Sequence, residues 1–180
     1  MERGQTENGD AQRRISEFFG EYGERLWNTA LKMCHNRSDA EDLTLRTFEQ
    51  ALRKFSLYDE SRSPFPWLCG ILANLYRMDL RGKARNALDF FADPPDPPDP
   101  APSVPEVIAS EADAEAVREA LARLPGNYRM LVVLRYFDDL SVPEIAAQLS
   151  LPEGTVKRRL HEARALLRED LSRTIGPYGA

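Results

Sequence analysis

Between residues 152 and 168 five cationic side chains, Lys157, Arg158, Arg159, Arg164 and Arg168, stand against two acids, Glu153 and Glu162. Read as a helix, this stretch turns Thr155, Lys157, Arg158, Arg159, His161 and Arg164 outward as donors, which suit phosphate oxygens and the acceptor-rich purine edges of a DNA major groove. A second series, Asn74, Arg77, Arg81 and Arg85, falls along one side of another helix. One face of that helix packs and the other is cationic. Catalytic groupings do not assemble: there is no glycine-rich phosphate loop and no nucleophile with its base. Cys34, Cys69, His35 and His161 lack the spacing of a zinc site, so no cofactor is expected and both cysteines are read as reduced and buried.

The elements that must position these groups are helical. Ser141-Val-Pro-Glu-Ile-Ala-Ala-Gln-Leu149 reads as a short capped helix, Ser150-Leu151-Pro152 as a tight turn, and Glu153–Glu169 as a longer helix, which is the helix-turn-helix order. Ala146 is expected where the two helices come closest, with Ile145, Leu149, Val156 and Leu160 packed between them. If the turn needs a positive φ, Ser150 must adopt it where glycine is commoner. Upstream, Ala114–Leu124 predicts one helix, and Met130, Leu131, Val133, Leu134 and Phe137 a second.

In the first half, Ile15, Phe18, Phe19, Tyr22, Leu26 and Ala30 trace one apolar helix face. Ser38-Asp39-Ala40-Glu41 has a capping-box pattern and opens a helix with the stripe Leu43, Thr47, Phe48, Ala51, Leu52 and Phe55. Ser56–Pro66 reads as a loop, with Pro66 opening a third helix whose apolar face is Leu68, Ile71, Leu72 and Leu75. No stretch alternates long enough to predict a strand. The expected fold class is therefore all-α.

Net charge is -5, but residues 86–115 hold eight acids and no lysine or arginine, which leaves the remainder at +3. Within that stretch the run from Asp93 to Pro105 is too rich in proline for helix or central strand and predicts an extended acidic tether. The expected division is a helical domain over 12–90, a linker over 91–113 and a helix-turn-helix domain over 114–176. No run of about 18 apolar residues occurs and the N-terminus is polar, so neither a membrane span nor a leader is expected and the cytoplasm is the expected compartment.

The string LPGNYRMLVVLRYFDDLSVPEIAAQLSLPEGTVKRRLHEARALLRE resembles the promoter-reading C-terminal domain of RNA polymerase sigma factors, above all the extracytoplasmic-function (ECF) group. SDAEDLTLRTFEQALRKF followed by PWLCGILANLYRMDLRGKAR is similar to the N-terminal domain of that group. The resemblance implies core RNA polymerase and promoter DNA as partners and control by an anti-sigma factor. It implies docking of Asp42, Leu43, Thr47 and Phe48 on the clamp helices of the polymerase, although Leu45-Arg46 stands where relatives usually have Gln-Glu. It gives Leu131, Leu134, Tyr136 and Phe137 to the flap tip. The loop over 56–65, with Asn74, Arg77 and Arg81, matches the minus-ten reader and its capture of a flipped base; Trp67 either stacks on a base or packs in the core. Helix 153–169 matches the minus-thirty-five reader. In the family the tether enters the active-centre cleft, and the same path is expected for Asp93, Asp96 and Asp99. An autonomous operator-binding regulator would explain residues 141–169 but not the first half.

Overall fold

The computed structural model describes residues 3–83 and 111–175, and every regular element among them is helical. In chain order these are α1 (Arg3–Cys34), α2 (Arg37–Arg53), α3 (Pro64–Lys83), α4 (Glu111–Arg123), α5 (Gly126–Val132), α6 (Val142–Leu149) and α7 (Glu153–Ile175). A short 3-10 turn covers Phe55–Leu57, and a π-helical turn, Val133–Phe137, continues α5. The chain divides into two compact units, Met1–Met78 and Asp79–Ala180. Arg85 and the proline-rich tether lie outside the described residues. No described helix is long and apolar enough to cross a membrane.

In the first unit α1 packs on α2. Ile15, Phe18, Leu26, Ala30 and Met33 of α1 and Ala40, Leu43, Phe48 and Ala51 of α2 are buried. Phe19, expected on the buried face, is 50% exposed, because its neighbour Phe18 takes the inward position. His35 turns left-handed at φ 51 and ends α1. Asn36, not Ser38, then caps α2, its side chain accepting from the Asp39 amide at 3.0 Å. The expected capping box is displaced because Asn36 is itself a strong cap at the first residue beyond that turn, and Glu41 instead pairs with Arg37. Buried Thr44 and Thr47 donate to the carbonyls of Ala40 and Leu43, so their hydroxyls cost no lost hydrogen bond. Tyr76 of α3 donates to the Met33 carbonyl at 2.8 Å, satisfying an acceptor that the end of α1 leaves open. The third helix opens at Pro64 and not at Pro66; both prolines fall in its first turn, where no amide donor is needed.

In the second unit α4, α5 and α6 all pack on α7. Met130, Leu131, Val132, Val133 and Leu134 are consecutive and all buried, so the chain is covered on every side where α5 passes into the π-helical turn. Arg129 donates to the carbonyls of Ala122 and Leu124 and so closes the C-terminal end of α4. Ser141 caps α6 with a full capping box: its hydroxyl accepts from the Glu144 amide, and the Glu144 carboxylate accepts from the Ser141 amide at 2.8 Å.

Ser150 is left-handed, φ 52 and ψ 47, as the turn requires. The Leu151 amide donates to the Ala146 carbonyl at 3.0 Å and the Ser150 amide to Ala147 at 3.4 Å, the paired bonds of a Schellman ending. Ile145, Ala146, Leu149, Val156 and Leu160 are all buried, which seats α6 on α7 as the spacing predicts. A side chain in this conformation costs about 1–2 kcal/mol, partly offset in glycine by its larger entropy loss. Ser150→Gly should therefore stabilise the second unit by about 0.5–1 kcal/mol in urea unfolding, while Ser150→Val destabilises it.

Candidate nucleic-acid and polymerase interfaces

The α6–turn–α7 geometry decides which donors of α7 meet solvent. Lys157 and His161, one turn apart, are exposed, and Arg168 continues the same side. Thr155 and Arg159, expected on the outer face, are only 6% and 7% exposed. They are withdrawn as surface contacts, since they point towards the side of α7 that carries Val156 and Leu160. Arg158 and Arg164 are intermediate. Arg158 donates to Glu162 at 2.9 Å, and Arg164 lies 3.3 Å from the Tyr136 hydroxyl. The Tyr128 hydroxyl reaches the other oxygen of Glu162 at 2.8 Å. Burial and the hydrogen bond to the Glu162 carboxylate both hold the Tyr128 phenol above its ordinary range, so it stays a neutral donor.

On α3 Asn74 and Arg81 are exposed, whereas Arg77 is buried and donates to the Asn74 side chain at 3.3 Å. Asn74 also donates to the Gly70 carbonyl at 2.9 Å, so its amide is oriented from both ends. Arg77 is corrected from a strand contact to a support for Asn74. Met78, one turn beyond Asn74, is 61% exposed, an apolar side chain among polar ones that the charge pattern alone did not select.

The loop before α3 is held by an aromatic hub. Tyr58 meets Phe18 of α1 edge-on at 5.6 Å and Trp67 of α3 at 4.7 Å between ring centroids. Trp67 is thus half-buried and engaged by Tyr58. The Tyr58 hydroxyl donates to the Arg62 carbonyl. The Asp59 carboxylate accepts from the Ser61 hydroxyl and amide and pairs with Arg62 at 3.1 Å. These bonds shape residues 58–62 into a compact turn whose polar side chains, Asp59 to Ser63, face outward.

On α2 the buried stripe includes Leu43, Thr47 and Phe48 at 1%, 0% and 6% exposure. These three are corrected from docking residues to core, because the stripe that predicts the helix is the one facing α1. What α2 offers outward is Asp42, Leu45, Arg46 and Glu49, with Leu45 58% exposed and Asp42 paired to Arg46 at 3.1 Å. Leu45 was legible as a large apolar residue off the periodic stripe. Leu131 and Leu134 are likewise interior, at 0% and 1%, and the part of that segment at the surface is Tyr136 and Phe137, both half-buried. Cys69 is buried, Cys34 only partly so, and both are free thiols.

Two family descriptions match the chain, sigma-70 region 2 over residues 18–86 and sigma-70 region 4 over 114–167. The ECF RNA polymerase sigma factor SigW of Bacillus subtilis is 28% identical over 93% of this chain and 93% of its own length. The RNA polymerase sigma factor CarQ of Myxococcus xanthus is 30% identical over 88% of this chain and 90% of its own. Among solved structures, the sigma factor RpoE of Bartonella quintana, in complex with the anti-sigma factor NepR, matches in fold with a TM-score of 0.66 and 23% identity. That match covers 89% of this chain and 98% of RpoE.

The bonds from Ser61 hold the Asp59 carboxyl below its ordinary value. A depressed pKa adds stability that is present above the unfolded value and lost as pH falls through the folded one. Following the Ser61 amide signal by NMR should show the turn unchanged through neutral pH and opening only below the ordinary aspartate range. Asp59→Ala should remove the transition.

Proposed function

The chain belongs to the sigma-70 family of RNA polymerase sigma factors, in the extracytoplasmic-function group, and we propose from that premise how its two units divide the work. It is a promoter-directing subunit of RNA polymerase and not an enzyme. A domain over residues 12–90 docks on core polymerase through the outward side of α2, Asp42 and Leu45. It meets the melted strand with the 58–63 turn, with Asn74, which Arg77 supports, with Arg81, and with Arg85 beyond the described helix. The segment 91–113 tethers it to a domain over 114–176, which holds upstream duplex with Lys157 on a phosphate and reads it with His161 and, from the edge of that stripe, Arg158 and Arg164. Tyr136 and Phe137 supply the second polymerase contact.

The observation that carries this reading is the capped α6, the left-handed turn and α7 with Lys157 and His161 on its open side. A short reader of this kind makes few contacts, so binding depends on both units being held on one polymerase. The working compartment proposed is the cytoplasm, and an anti-sigma protein is the proposed control, in the way that NepR is bound to RpoE.

Transcription by core polymerase from a library of promoter fragments tests the whole: start sites should appear only when this chain is added. The isolated chain should bind the selected duplex poorly; tight sequence-specific binding without polymerase would mark an autonomous regulator instead. Leu45→Asp should weaken core binding by at least about tenfold, about 1.4 kcal/mol, with helicity unchanged, as read by fluorescence anisotropy. Lys157→Ala should weaken holoenzyme binding on all sequences alike and flatten the salt dependence by about one phosphate contact.

A further inference from the structure

The donors of α7 are not equally available, and the residue that divides them is an acid. Glu162 receives Arg158 on one carboxylate oxygen at 2.9 Å and Tyr128 on the other at 2.8 Å. Arg158 is on the same helix one turn earlier, while Tyr128 comes from α5. The side chain of Arg158 is 11% exposed, and that of Glu162 36%. The carboxylate is therefore fixed from two helices, and it holds a guanidinium at the margin of the exposed Lys157–His161 stripe.

We infer that Glu162 is a specificity-determining residue of the duplex reader, a carboxylate clamp that yields Arg158 to DNA only where a base edge offers a matched pair of acceptors. The inference rests on the reading of α7 as that reader. A phosphate oxygen replaces the carboxylate with one screened anionic acceptor for another, so the exchange gains little. Guanine O6 and N7 together match the guanidinium fork, and the exchange is then favourable. The clamp also sets a negative charge beside the DNA path, which disfavours every duplex that does not repay it. Release takes the Arg158 side chain out of a place where it is only 11% exposed, so it is favourable only against a matched pair of acceptors. Tyr128 is a positioning residue: its hydrogen bond keeps the carboxylate from turning away with the arginine.

The test uses holoenzyme and two duplexes, one selected by the wild type from a pool randomised upstream and the same one scrambled there. Glu162→Gln should raise affinity for the scrambled duplex about fivefold, lower the selected-to-scrambled ratio at least about threefold, and steepen the salt dependence by about one phosphate contact. Tyr128→Phe changes no charge and should lower the ratio in the same direction. Glu153→Gln removes an exposed acid of the same helix that lies outside the clamp, and should raise affinity without changing the ratio. An unchanged ratio in Glu162→Gln, or an equal fall in Glu153→Gln, overturns the clamp. Should Glu162→Gln fail to fold by circular dichroism, Tyr128→Phe alone decides. If the wild type itself does not discriminate the two duplexes, the reading of α7 falls and the clamp with it.

Discussion

The left-handed turn at Ser150 sets the angle at which α7 leaves α6, and nearly every functional statement about the second unit descends from it. The paired bonds to Ala146 and Ala147 end α6 within one residue of Leu149. Ile145, Ala146 and Leu149 then meet Val156 and Leu160, and this apolar contact commits one side of α7 to the interior. Thr155 and Arg159 go with that side; Lys157 and His161 are left on the other. A different turn would rotate another set of donors outward from the same sequence.

Charge is managed locally in both units. Arg46 pairs with Asp42, Arg158 with Glu162 and Arg123 with Asp170, so much of the cationic composition is neutralised within the fold. Such pairs on exposed helices add little to stability. Their larger effect is on what a partner meets. On α2 the outward centre is Leu45 between an internal ion pair and Glu49, a surface on which apolar contact outweighs charge. On α7 the exposed Lys157 and Arg168 stand beside an arginine paired with Glu162, a weaker field than five lysines and arginines suggest.

The first unit shows the same economy in its loop. Tyr58 joins α1, the 3-10 turn and α3 through rings of Phe18, Phe55 and Trp67. The aromatic residues are thereby occupied in shaping the turn, and the outward groups are small and polar. A preformed turn loses less entropy on binding an unstacked base than a loop that must first be ordered.

The helices, the turn and the cationic character of α3 and α7 were legible in the sequence, because periodicity and capping act between residues a few positions apart. Ser141 and Glu144 cap α6 as their spacing predicts, and Ser150 is left-handed as its place in the turn demands. The same local logic misled where several local solutions competed: Asn36 caps α2 in place of Ser38, and Phe18 takes the inward position in place of Phe19. The docking residues Leu43, Thr47 and Phe48, taken from the family resemblance, lie on the stripe that predicts α2, and a stripe strong enough to predict a helix is the part that will be buried. Only tertiary packing decided which cations remain at the surface. Tyr128 reaches Glu162 from 34 residues away and Tyr136 meets Arg164 from 28, and no helical period encodes contacts between separate elements.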